Sequence, residues 1–183
     1  VPVNATDESF QRLPSFLATE QNEGRVRWHW RFDTPEKYQS MMKNYYRLCA
    51  GVDTMCGSVF AELEQQGVLD ETLVIFIGDN GTDRDIVSRQ HGVEVRGAKG
   101  ATIDAGTRVP LIAHWPGTIP EGIVRQDLVD FSDVLPTLCA TANVAVPPAL
   151  KIDGRSFLPQ LKGEKGHPRE WIYCWYSRSG NAK

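Results

Sequence analysis

The sequence predicts an α/β fold organised around a parallel sheet. Three observations carry that expectation. A long stretch of 3.6-residue periodicity begins at Pro35 and ends at Gly67. A short apolar run, Thr72-Leu73-Val74-Ile75-Phe76-Ile77, follows after the connection Val68 to Glu71. A second apolar run, Val109-Pro110-Leu111-Ile112-Ala113-His114, comes later. Unbroken apolar runs of this length suit parallel strands covered on both faces, and a helix followed by such a strand suits α/β architecture.

The elements are justified in order. Residues 1–33 are polar and irregular, with two prolines. Within them Arg25-Val26-Arg27-Trp28-His29-Trp30-Arg31 alternates, which predicts a short strand or an ordered loop. Thr34-Pro35-Glu36 is a helix start. Thr caps, Pro suits the first helical position, and Glu suits the positive dipole end. Apolar side chains then fall at 38, 41, 42, 45, 49, 52, 56, 59, 60 and 63, which is one face of a long helix. Gly67 stands where a C′ residue belongs. Gly51 and Gly57 interrupt the helix and would admit a closely approaching backbone. Residues 82–108 form a long connection rich in charge and Gly. Trp115-Pro116-Gly117 ends the second strand, Ser132-Asp133 opens a helix to about Asn143, and Asp153-Gly154-Arg155-Ser156 opens a shorter one to about Leu161. Trp171 to Tyr176 reads as a strand rich in aromatic residues. A strand so near the chain end reads either as a natural edge strand or as one that pairs with later residues of a longer polypeptide.

Composition narrows the function. Of the 183 residues, 41% are apolar and 23% charged, which is ordinary for a globular domain. No apolar run is long enough to span a bilayer. The net charge of −3 and the lack of a basic stripe argue against nucleic acid as a partner. The start, Val1-Pro2-Val3-Asn4, carries no leader pattern. Cys49, Cys56, Cys139 and Cys174 form no C-x-x-C and are expected as buried free thiols. There is no G-x-S-x-G, P-loop or G-x-G-x-x-G, so acyl-enzyme hydrolase, NTPase and Rossmann dehydrogenase chemistry is unsupported.

The most polar turn, Gly78-Asp79-Asn80-Gly81, directly follows the first strand. Sites in open α/β sheets form outside the carboxyl ends of strands. Asp79 and Asn80 offer hard oxygen donors of the kind Ca²⁺ or Mg²⁺ takes. The same four residues also read as an Asn-Gly turn with the aspartate bonding its own backbone. Lys99 lies in the Gly-rich stretch Gly97 to Gly106 and could place a point charge on an anionic ester. His91 lies in the same connection and could reach that cleft. Arg108 could pair with Asp104 inside the loop.

Taken in series, these segments resemble the later half of a sulfatase catalytic domain, in the alkaline-phosphatase-like superfamily. The resemblance rests on Asp53-Thr54-Met55-Cys56-Gly57, then Leu63, Gly67 and Thr72, then Asp79-Asn80-Gly81. It continues through Lys99-Gly100 to Arg108-Val109-Pro110, Trp115-Pro116-Gly117, Asp133 to Thr137, and Asp153 to Ser156. It covers residues 34–162 in order, with Asp104-Ala105 departing from the usual Glu-Gly.

The resemblance implies an alkaline-phosphatase-like parallel-sheet sandwich, of which this chain is a fragment lacking the N-terminal strands. It implies residues 1–165 as the C-terminal part of the catalytic domain and 166–183 as the start of a small C-terminal subdomain. Asp79 and Asn80 then correspond to metal ligands, usually for Ca²⁺ with Mg²⁺ as an alternative. Lys99 corresponds to the lysine that holds the sulfate and its bridging oxygen, with His91 a weaker substrate contact. The family's nucleophile is a formylglycine made within C-x-P-x-R, a motif this chain does not contain. Val1-Pro2-Val3 resembles the residues just after a sulfate-binding histidine of the family. The implied partners are a sulfate ester or sulfated glycan and the remainder of the catalytic domain. Export to the periplasm or cell exterior is compatible with the resemblance, and the sequence itself assigns no compartment. A phosphodiester or phosphonate ester hydrolase of the same superfamily, or a non-catalytic binding remnant, are the alternative readings. On this reading the isolated 183-residue chain does not turn over sulfate esters, and release of sulfate above background by the purified chain would overturn it.

Overall fold

The computed structural model describes residues 11–16, 19, 21–84 and 86–177. The chain divides into two compact units, Val1–Glu62 and Leu63–Lys183.

In the first unit, α1 spans Glu23–Arg31. This corrects the expected strand or loop over 25–31. The alternation of Val26, Trp28 and Trp30 favoured a strand, but contacts one helical turn apart favour the helix. Asn22 caps it, accepting from Gly24 N at 3.0 Å, and Arg25 Nε reaches His29 Nε2 at 3.2 Å. Arg27 also pairs with Glu23 one turn back. Each i,i+4 pair adds a few tenths of a kcal/mol, which outweighs a weak alternation with no strand to pair with. Asp33 then receives Lys37 Nζ at 2.8 Å. Burial opposes ionisation of Asp33 less than the Lys37 hydrogen bond favours it, so its carboxyl lies below the ordinary range.

Helix α2 runs Pro35–Gln65, with Thr34 Oγ1 accepting from Lys37 N at 3.3 Å, as the sequence predicts. Its apolar face is only partly covered among the described residues: Tyr38, Met41, Met42, Cys56, Phe60 and Leu63 are half-buried and none is fully buried. A Cβ added at Gly51 or Gly57 meets nothing within 4 Å, so the close backbone approach expected there is not found among the described residues.

The second unit begins with the end of α2. Gly67, at φ +67°, donates to Glu64 O at 2.9 Å, and Val68 N donates to Leu63 O at 3.0 Å. These two bonds are a Schellman cap, the C′ glycine predicted from sequence. A 3₁₀ turn at Leu69–Glu71 leads into β1, Val74–Ile77. Trp115 Nε1 donates to Asp70 O at 2.8 Å and ties this turn to the far end of the partner strand.

That partner is the strand at Leu111–His114, and the pairing is antiparallel, from Val74↔His114 to Ile77↔Leu111. The expected parallel arrangement is corrected here: both described sheets are two-stranded and antiparallel. A parallel return needs a crossover that carries the chain back to the starting end. Residues 78–110 do not cross over. They hold the hairpin β2 (Val87–Gln90) and β3 (Val93–Arg96) and a four-residue helix, α3 (Asp104–Thr107). The excursion zips back on itself through Gly78 N to Pro110 O at 3.0 Å, Gly81 N to Gly106 O at 2.9 Å and Gly97 N to Ile86 O at 2.9 Å. The chain thus re-enters the sheet from the end at which it left, as β4 (Leu111–His114). Phe76 and Ile112 remain 41% and 61% exposed, so two-sided burial is not realised among the described residues. An apolar run records that both faces favour burial, not what covers them.

The buried centre of this unit lies further along. A 3₁₀ turn, Phe131–Asp133, leads into α4, Val134–Thr141, and α5 follows at Leu158–Leu161. Both helices fall where the sequence places them. Asp133, Thr137, Phe157 and Gln160 are buried. Thr137 Oγ1 donates to Asp133 O at 2.7 Å and accepts from Phe157 N at 3.0 Å. The Asp133 carboxylate accepts from Asp130 N at 2.9 Å, Arg155 N at 2.7 Å and Arg169 Nε at 2.7 Å. Arg169 Nη2 completes a bidentate pair at 2.5 Å and also donates to Asp153 O at 3.0 Å.

The boundary expected at residue 165 falls inside this unit, and Arg169 bonds across it. Residues 171–177 form no strand, correcting the expectation for Trp171–Tyr176. Just before this segment, Leu128 and Arg169 form an isolated antiparallel bridge. Aromatic content favours a strand only where another strand is available. The four cysteines are free, and none is buried, contrary to the expected buried thiols.

Burial raises the pKa of Asp133, but the hydrogen bonds from Arg169, Arg155 and Asp130 together outweigh it and hold the carboxyl below its ordinary range. A carboxylate depressed on folding stabilises the native state above its unfolded value of about 3.9, and that contribution fades as pH falls through the lower folded value. Replacing Arg169 by Met should cost about 3–5 kcal/mol, because it leaves a buried charge unpaired. Urea unfolding across pH 5 to 2 checks both points: the wild-type midpoint should fall on acidification, and Asp133→Asn should flatten that limb.

Candidate active site

The Asp79-Asn80 turn begins where β1 ends. Asn80 N donates to Asp79 Oδ1 at 2.8 Å, and Asn80 Nδ2 donates to Gly81 O at 3.1 Å. This is the self-bonded turn that the sequence allowed, and it still leaves donors. Asp79 Oδ2 and Asn80 Oδ1 accept no hydrogen bond among the described residues. Both residues are exposed.

The turn is fixed by close backbone approach. A Cβ on Gly81 would overlap the Ala105 carbonyl and stand 2.8 Å from Gly106 Cα. Gly106 is equally confined, since its Cβ would overlap the Ala101 carbonyl. Gly97 would run into the Asp83 carbonyl. Glycine at these positions lets the outgoing and returning arms of the excursion lie backbone against backbone.

Lys99 is on the returning arm. Its N–H donates to Thr82 O at 2.9 Å, and Arg84 Nε donates to its carbonyl at 2.9 Å. Lys99 is thereby set beside the residues that follow Asp79-Asn80-Gly81. Its side chain is exposed and has no ion-pair partner among the described residues. Three sequence-predicted residues, Asp79, Asn80 and Lys99, are therefore brought onto one excursion.

His91 is placed differently. It has φ +51° and, with Gly92 at φ +80°, makes the two-residue turn at the tip of the β2–β3 hairpin. Positive φ at both positions is the signature of the I′ hairpin turn. Four-residue strands put this tip roughly 13 Å from the hairpin base at 3.3 Å per residue. Arg108 does not pair with Asp104 through its side chain; the two meet through Arg108 N to Asp104 O at 2.8 Å. Sequence reasoning missed Arg84 and Arg169. No short-range pattern reaches from Asp133 to Arg169, and Arg84 was one charge in a charged connection.

The donor set at the turn fits a hard divalent cation, which takes carboxylate and amide oxygens. Two oxygens cannot complete a shell of six or more, and no group of three or more His, Cys, Asp or Glu gathers around a common point among the described residues.

Comparison with known proteins gives consistent similarity. A family model described as Sulfatase matches residues 6–144. Human arylsulfatase A is 36% identical over 128 residues, which are 69% of this chain and 25% of that protein. A sulfatase of Escherichia coli K12, YdeN, is 31% identical over 149 residues, 75% of this chain and 26% of that protein. Among solved structures, BT4656, described in complex with its substrate D-glucosamine-2-N,6-O-disulfate, aligns with a TM-score of 0.57 and 25% identity. That alignment covers 90% of this chain and 33% of the other. The chain spans about a quarter of the length of the curated relatives it matches.

Gly81→Ala should destabilise by about 3 kcal/mol, the upper range for forced overpacking, because its Cβ would overlap a backbone carbonyl. Gly57→Ala, in an open helix position, should instead stabilise by roughly 0.5–1 kcal/mol. Thermal unfolding of both variants checks the contrast, and equal effects would sink the packing argument.

Proposed function

Since the chain belongs to the sulfatase family, we propose that it supplies part of the catalytic centre of a sulfate-ester hydrolase. The observation that carries this reading is the excursion from β1 to β4, which holds Asp79, Asn80 and Lys99 on two arms joined by Lys99 N to Thr82 O. The relatives are named for sulfate-ester chemistry, and the similar structure is described with a disulfated sugar. A sulfate ester, including a sulfated glycan, is the substrate class.

The role of each residue follows from its chemistry. Asp79 Oδ2 and Asn80 Oδ1 are the atoms that would hold a divalent cation, Ca²⁺ or Mg²⁺. When bound, that cation supplies a fixed positive charge against the sulfate oxygens. Lys99 adds a second charge. Its ammonium binds the sulfate and meets the negative charge that grows on the bridging oxygen as the sulfur–oxygen bond breaks. Charge stabilisation of this kind acts most in the transition state. His91, at the hairpin tip, is suited to a substrate group remote from the sulfate. The formylglycine nucleophile expected of the family, and further metal ligands, come from outside these 183 residues. Residues 166–183 are read as the opening of a C-terminal subdomain.

In the full-length protein, Lys99→Ala should lower kcat for an aryl sulfate by about 10²–10³, the loss typical of one oxyanion-stabilising donor. Asp79→Asn should raise the concentration of Ca²⁺ needed for half-maximal turnover. Steady-state kinetics with a calcium titration measures both. Turnover of phosphate esters in place of sulfate esters, or activity indifferent to Lys99, would overturn the assignment.

A further inference from the structure

Beside Lys99 lies a second cation that the proposed chemistry does not use. Arg84 Nε is occupied by the Lys99 carbonyl at 2.9 Å. That bond orients the guanidinium and leaves its two terminal nitrogens without a partner among the described residues. Gly100 follows Lys99, at φ +80°. A Cβ placed on Gly100 would have the Tyr176 ring edge at 3.4 Å and Arg84 Nη2 at 3.6 Å. Tyr176 and Arg84 therefore both lie over Gly100, within van der Waals reach of the position a Cβ would take. Both residues are exposed.

A cation with free donors, an aromatic ring and an adjacent unpaired lysine make a recognisable combination. Two exposed cations on adjoining arms, neither paired with a carboxylate among the described residues, favour an anion that can reach both. A guanidinium presents paired donors that match a sulfate or carboxylate, whereas a lysine binds as a point charge. The ring supplies a flat apolar wall for a sugar or aryl ring. We propose that Arg84 and Tyr176 form a specificity subsite that binds a second anionic group on the substrate, next to the ester held by Lys99. The enzyme would then prefer multiply anionic sulfate esters over singly charged aryl monosulfates. This rests on the reading of Lys99 given above.

The test uses the full-length protein and non-hydrolysable probes, so that binding is read apart from turnover. Wild type should bind 1,3-benzenedisulfonate about tenfold more tightly than benzenesulfonate, the gain expected of one charge-assisted contact. Arg84→Gln should weaken 1,3-benzenedisulfonate binding more than benzenesulfonate binding and so abolish that preference, and Arg84→Lys should keep part of it. Lys99→Ala should weaken both probes. In turnover, Arg84→Gln should raise KM for a disulfated sugar about tenfold more than it raises KM for an aryl monosulfate. Unfolding midpoints confirm that the variants fold. Equal affinity for the two probes in wild type, or equal loss for both in Arg84→Gln, would overturn the subsite. Absence of any sulfate-ester turnover alongside an Arg84-dependent probe preference would instead overturn the hydrolase reading and leave the subsite standing.

Discussion

A buried carboxylate is costly unless its charge is fully met, and Asp133 is the place where this chain meets that demand. Its two oxygens take backbone donors from Asp130 and Arg155 and both donors of the Arg169 fork. Removing water from the carboxylate opposes its charge, and only the sum of these donors reverses the balance. The donors come from three separate stretches of sequence. Satisfying one side chain therefore fixes the 3₁₀ turn before α4, the approach to α5 and the segment beyond it. Gly154 shows how tightly these stretches close, because a Cβ there would overlap the Ser132 carbonyl. Thr137 extends the arrangement by linking Asp133 O to Phe157 N. The Asp-x-x-Pro-Thr and Asp-Gly-Arg-Ser motifs are thus two halves of one polar core.

The candidate site obeys a related constraint, expressed through the backbone. The chain leaves β1 and returns to β4 as a single closing excursion rather than a crossover. Each arm supplies hydrogen bonds to the other, and glycine at 81, 97 and 106 permits the contact. Lys99 is 20 positions after Asp79 in sequence, yet its amide bonds Thr82 O. A donor turn and a cation are brought alongside without any side-chain contact between them, which leaves their polar atoms available to a ligand.

Much of the exposed apolar surface belongs to α2 and the two short sheets. Helix α2 keeps its stripe but buries no residue among those described. Local terms support it at both ends: the Thr34 cap, Pro35 at the first position and the Schellman closure at Gly67. Such terms are short-range, so they operate whether or not the stripe is covered.

The sequence by itself determined the features that local chemistry controls. The span of α2, its cap and its glycine stop, the positions of α4 and α5, and the Asp-Asn-Gly turn were legible because caps, periodicity and turn residues act over a few positions. The family was legible from the ordered series of short motifs. Local signals misled at 25–31, where alternating Trp and Val suggested a strand and i,i+4 pairs made a helix, and at 171–176, where strand propensity found no partner. What only the tertiary structure decided is long-range pairing: the antiparallel return of β4, the meeting of Arg169 with Asp133, and the placement of Arg84 against Lys99. Those contacts join residues far apart in sequence. Their energy comes from desolvation and hydrogen-bond geometry, which no spacing rule encodes.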